Sequence, residues 1–118
     1  MKKILIADDD VDILTLMEAM LSIHRFKVQT VSNWQHIDSS VAQFEPDLIL
    51  LDISLGGADG RDICKTIKEA EATQHIPLIL FSANAEMGRN IEQYHAQAFI
   101  AKPFHLSSLL KTIGSYLA

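Results

Sequence analysis

The sequence has a single cysteine, Cys64, so no internal disulfide is possible and the lone thiol suits a reducing compartment. Cations are few: 10 Lys and Arg stand against 15 Asp and Glu, a net charge of -5. That balance argues against a general nucleic-acid or anionic-membrane binder, and no basic stripe with interleaved aromatics offsets it. Long apolar runs are missing too. The longest, such as Leu48-Ile49-Leu50-Leu51, are strand-length, so no membrane span is expected. Lys2 and Lys3 precede only a short apolar stretch before Asp8-Asp9-Asp10, which is not the pattern of a signal peptide. The cytoplasm is therefore the expected location. His24, His36, His75, His95 and His105 are scattered, without zinc-site spacing, and read as surface residues. No linker, repeat or low-complexity segment breaks the chain.

What is present suits one domain over residues 1–118, with 48% apolar residues to build its core. Short apolar runs alternate with amphipathic stretches about five times, the signature of parallel βαβ units. Ile4 to Ala7 reads as the first strand. A helix follows over about residues 11–24, with Ile13, Leu14, Met17, Met20 and Leu21 at helical spacing and Asp10 as its N-cap. Residues 26–31 alternate apolar and polar, as a half-exposed edge strand does. A second helix, over about 34–44, stops at Glu45-Pro46-Asp47 because proline disfavours helix in the residue before it.

Leu48 to Leu51 and residues 77–81 are apolar on both faces, which predicts central strands. Between them a glycine-containing loop (Gly56, Gly57, Gly60) leads to a helix near 62–70, with Ile63 and Ile67 inward. A weaker helix is expected over about 86–95, a fifth strand at 98–101, and a last helix carrying Leu106, Leu109, Leu110, Ile113 and Leu117. Right-handed crossovers then give a doubly wound α/β fold: a five-stranded parallel sheet in the order 2-1-3-4-5, with five helices on its two faces, as in flavodoxin.

Ligands of such sheets bind beyond the carboxyl ends of the strands, at the switch point between the first and third. The strands deliver Asp8-Asp9-Asp10, Asp52, Ser82 and Lys102 to that rim. Crowded carboxylates repel, so a cation or a proton must intervene. Oxygen-only ligands in an incomplete cage favour Mg²⁺ with waters retained. With Lys102 as a further positive charge and Ser82 as a hydroxyl donor, the set suits phosphoryl transfer, and an aspartate can itself be the nucleophile.

The pieces ILIADDD, DLILLDISLGGADG, PLILFSA and AFIAKPF, in this order and spacing, resemble the landmarks of response-regulator receiver domains of two-component signalling, the CheY-like superfamily. The resemblance covers nearly the whole chain. It implies a switch that takes a phosphoryl group from a histidine kinase or phosphotransfer protein. By position, Asp52 matches the phosphoacceptor. Asp9 and Asp52 match the carboxylates that touch Mg²⁺, Asp8 the one acting through water, and Ser54 a backbone-carbonyl ligand. Lys102 matches the lysine on the phosphoryl oxygens, Ser82 the switch hydroxyl and Phe99 the switch aromatic. Ala83 is small, as the family has it beside that hydroxyl, and Lys102–Pro103 matches a cis peptide. The family's output surface, near the fourth helix, fifth strand and fifth helix, would meet a downstream protein or a second copy in a phosphorylation-dependent homodimer.

Three positions depart from the family pattern: Gly56 where proline is usual, His95 for a frequent glycine, and His105 for a better N-cap. Taken singly, the site residues have plainer readings. Asp8 and Asp9 suit helix capping, Lys102 a surface lysine, Ser82 a strand-end hydroxyl, and Phe99 reads equally as core. Trp34 reads as packing at the second helix, Cys64 as a small partly buried residue, and Met17, Met20 and Met87 as core or groove filler. Other functions compete with the switch. A Mg²⁺-dependent aspartyl phosphatase would place an acid where Ser54 stands. A flavin-binding module would need a phosphate-cradling loop where Asp8-Asp9-Asp10 stands. A receiver-shaped interaction module would have lost the rim residues that are intact here.

Overall fold

The computed structural model describes residues 1–117. Its five strands are β1 (Lys3–Ala7), β2 (Lys27–Val31), β3 (Leu48–Asp52), β4 (Leu78–Ser82) and β5 (Ala98–Ala101). All neighbouring pairs are parallel, and the order is β2-β1-β3-β4-β5. Every residue of β3 and β4 is buried, whereas β2 is exposed or half-buried except at Val31, so the central and edge assignments follow the apolar pattern.

The pleat splits each central strand between two apolar layers. Leu5, Ala7, Ile49, Leu51, Leu78 and Leu80 face α2 (Ile37–Phe44) and α3 (Gly60–Glu69). Ile4, Ile6, Leu48, Leu50, Ile79 and Phe81 face α1 (Val11–Ile23) and α4 (Leu106–Tyr116). Each helix presents its own stripe: Leu14, Met17 and Leu21 on α1, Leu109 and Ile113 on α4. Asp10 caps α1 through the backbone N–H groups of Asp12 and Ile13, and Asp59 caps α3 through that of Arg61. His105 makes no side-chain cap on α4.

The structure corrects the helix count. Among the described residues four α-helices flank the sheet, and the expected helix over residues 86–95 is instead two 3₁₀ turns, Ala85–Gly88 and Ile91–Tyr94. Gly88 has poor helix propensity, and Asn90 sits in the left-handed region with φ 57°, which stops any helix there. The second helix likewise starts with a 3₁₀ turn, Trp34–His36, and ends at Glu45 in the left-handed region. Cys64, expected to be partly buried, is completely so, and it is Cys64 rather than Ile63 that points deepest from α3. All five histidines are exposed. Among the described residues no helix is long and apolar enough to cross a membrane.

Candidate functional site

Register builds the site. Ala7 pairs with Leu51, Asp52 with Phe81, and Ser82 with Ala101, so the strands end nearly level. Sheet hydrogen bonding continues one step past them: Asp8 N–H donates to Val31 O (3.1 Å), Ile53 N–H to Phe81 O (3.0 Å) and Lys102 N–H to Ser82 O (2.8 Å). Asp8, Asp52, Ser82 and Lys102 thus start from rigid backbone, and Asp9 follows one residue later.

Asp8 and Asp52 are buried, at 0% and 4% exposure, while Asp9 is open to solvent. One carboxylate oxygen from each of the three lies within 4.8 Å of the others. Lys102 reaches both buried acids, with Nζ 2.8 Å from Asp8 Oδ2 and 3.2 Å from Asp52 Oδ2, and lies 4.7 Å from the centre of the Phe81 ring. The remaining carboxylate oxygens accept from the loops: Asp10 N–H donates to Asp8 Oδ1 (2.9 Å) and Ser54 N–H to Asp52 Oδ1 (3.3 Å). Each buried acid therefore has one oxygen fixed by backbone and one held by the lysine.

Burial pushes the Asp8 carboxyl above its ordinary range; Lys102 and the Asp10 N–H pull it back, Asp52 pushes it up again, and the net direction is upward. Burial also opposes the charge on Lys102, but its hydrogen bond to Asp8 and the fields of Asp52 and Asp8 outweigh that, so its pKa rises. The rim holds more negative charge than one ammonium neutralises. An all-oxygen donor set, two members rigid and one exposed, fits a hard divalent cation that keeps part of its water shell.

The loop between β3 and α3 borders this rim. Gly56 adopts φ 79°, open to glycine, and a Cβ there would lie 3.2 Å from Asp9 Oδ2. A Cβ on Gly60 would overlap the Asp52 carbonyl oxygen, so the start of α3 can lie against the phosphoacceptor candidate's backbone only as glycine. Trp34 does more than pack on its own helix: its Nε1 lies 2.7 Å from where a Gly57 Cβ would be. Ser54 is exposed, and its backbone pairs with Asp59 across the loop. Asp59 forms a paired contact to Arg61, with Oδ2 2.7 Å from Nη2, and that hydrogen bond holds its carboxyl below its usual range.

Ser82 is buried at the end of β4, beside an exposed Ala83 that leaves the rim accessible. Phe99 is half-buried in the layer that also holds Met87 and Tyr94, so it is packed without being enclosed. The Lys102–Pro103 peptide is cis, as the resemblance implied. Sequence reasoning passed over the contact of Met87 with Ser82 and the tight fit of Gly60. No local pattern signals the first; a glycine at a helix start beside a rim acid was the available sign of the second.

A parallel five-stranded sheet with an acidic rim and a half-buried lysine is the architecture of a signalling receiver module. The chain belongs to the response regulator receiver domain family, whose model matches residues 4–114. It is 31% identical over 119 residues to the polar-differentiation response regulator DivK of Brucella ovis, covering 98% of this chain and 96% of that protein. It is 29% identical to the DNA-binding dual master transcriptional regulator RpaA of Synechocystis, covering 99% of this chain and 49% of RpaA. The chain thus spans about half of RpaA, less of the response regulator PleD of Caulobacter vibrioides (23%), and nearly all of DivK. The BeF3-activated receiver domain of Klebsiella pneumoniae RstA superposes with a TM-score of 0.88 at 26% identity, covering 98% of each chain. Vibrio cholerae CheY4 shares the fold, with a TM-score of 0.89 at 19% identity and 98% of each chain covered.

Proposed function

We propose that this receiver domain is switched by a phosphoryl group on Asp52, taken from a histidine kinase or phosphotransfer protein. The observation that carries the reading is the buried Asp52 carboxylate, bridged by Lys102 to Asp8 and within ligand distance of the exposed Asp9. Asp52 is the only one of the three that is both buried and adjacent to the Ser82 strand.

A carboxylate oxygen of Asp52 attacks phosphorus as the bond to the donor's imidazole nitrogen breaks, and that electron pair returns to the ring. Asp8, Asp9 and Asp52, with the backbone carbonyl of Ser54, are the residues that would hold Mg²⁺. Bound there, the ion supplies charge neutralisation for the phosphoryl oxygens. Lys102 lies within reach of Asp52 and offers its ammonium to a second phosphoryl oxygen, and Ala83 leaves the approach open. Ser82 then donates to a third oxygen, drawing the following loop inward and leaving room for Phe99.

A hydrogen bond to a charged phosphoryl contributes about 1.5–3 kcal/mol. That is roughly a tenfold to hundredfold shift in population, enough for a switch without making it absolute. The test is incubation with acetyl phosphate and Mg²⁺, read by intact mass. One base-labile phosphoryl group should be added to the parent and none to Asp52→Asn; equal labelling of that variant would refute the assignment.

A further inference from the structure

The Ser82 hydroxyl has an acceptor for its proton inside its own loop. Its Oγ lies 3.8 Å from Met87 Sδ and accepts the Asn84 backbone N–H at 3.0 Å. Met87 sits in the Ala85–Gly88 turn, half-buried against the same apolar layer as Phe99, and borders the depression above Ser54, Gly56 and Gly57. The next residue, Gly88, touches the aromatic ring directly: a Cβ there would lie 2.5 Å from Phe99 Cδ2. Two consecutive residues thus contact the hydroxyl and the ring whose coupling the proposed function requires.

We infer that Met87 is a positioning residue, a thioether latch that engages the Ser82 hydroxyl while Asp52 is unmodified and whose release moves Gly88 off Phe99. The inference rests on the reading of Asp52 as phosphoacceptor. A serine hydroxyl has one proton to donate, so it cannot serve the sulfur and a phosphoryl oxygen together. Sulfur is a weak, neutral acceptor and a phosphoryl oxygen a charged one, so the exchange runs toward the phosphoryl when it is present and reverses when it leaves. Methionine suits the task, being unbranched, with freely rotating bonds that let it swing aside. Because residues 87 and 88 share a peptide, the swing reaches the ring without an intermediary.

Leucine at 87 keeps similar volume and removes the acceptor. In NMR titrations of the full chain with beryllofluoride and Mg²⁺, Met87→Leu should start with the amides of residues 82–88 and 99 displaced toward their bound positions. Its half-saturating beryllofluoride concentration should fall roughly two- to tenfold, as for loss of one weak hydrogen bond. In a Ser82→Ala background the same substitution should change neither quantity, whereas a purely packing role for Met87 would persist there. Met87→Ala, which also vacates volume, should move the free-state shifts at least as far. Parent-like free-state shifts and half-saturation in Met87→Leu would overturn the latch, as would an undiminished effect in the Ser82→Ala background. Should the parent itself bind no beryllofluoride, the phosphoacceptor reading falls, and the free-state shifts of the two backgrounds still decide the latch.

Discussion

Lys102 is the residue on which the rim's charge balance turns. Its single ammonium is shared between Asp8 and Asp52, whose side chains are 1% and 6% exposed. Lys102→Ala removes from Asp8 the hydrogen bond that most opposes its burial, so the Asp8 carboxyl moves further upward. A carboxyl whose folded pKa is raised contributes stability below its unfolded value and loses it as pH rises through the folded one. Thermal melts of Lys102→Ala should therefore show stability falling from weakly acid to neutral pH more steeply than in the parent. Added Mg²⁺ should recover most of the loss at neutral pH, with about 2.7 kcal/mol available at a hundredfold excess over Kd. Melts insensitive to both pH and Mg²⁺ would contradict this balance. Trp34 offers a second readout at the same scale. Its indole lies on Gly57, and Gly56 next to it packs on Asp9. Cation binding at Asp9 should shift Trp34 fluorescence, and the response should vanish in Asp9→Asn.

At the scale of elements, the helices and strands legible in the sequence were those with a full apolar stripe or run. β3 and β4 are apolar at nearly every position, and α1 carries Leu14, Met17 and Leu21 on one face. The segment 86–95 reads as a helix because Met87, Ile91 and Tyr94 suggest a helical stripe, while the backbone demands of Gly88 and Asn90 outweigh so sparse a pattern. Its two short turns should be the first part of this face to open, so amides of residues 85–95 should exchange faster than those of α3. The start of α3 behaves oppositely. Gly60 is wedged against Asp52 and Ile53, and Gly60→Ala should cost about 1–3 kcal/mol, read as a fall in denaturation midpoint. Asp59, capping α3 and paired with Arg61, has its pKa lowered from 3.8, chiefly by that pair. Its contribution is complete above 3.8 and is lost as pH falls through the folded value, so Asp59→Asn should flatten the acid limb of the stability profile.

For the whole molecule, the central and edge strands followed from apolar patterning, which repeats along the chain, and the order 2-1-3-4-5 matched the known doubly wound arrangement. What escaped is what depends on contacts between distant side chains: Met87 on Ser82, Trp34 on Gly57, Cys64 beneath Tyr94. The last of these has a kinetic consequence. The Cys64 thiol, fully enclosed and donating to the Tyr94 carbonyl oxygen at 3.3 Å, has its pKa pushed by burial up to about 12. Only a thiolate reacts with an alkylating reagent, and only once the packing around Cys64, the Ile91–Tyr94 turn included, has opened. Each alkylation event therefore records one opening of that packing, which makes Cys64 a built-in clock for excursions too brief and too rare to appear in an average structure.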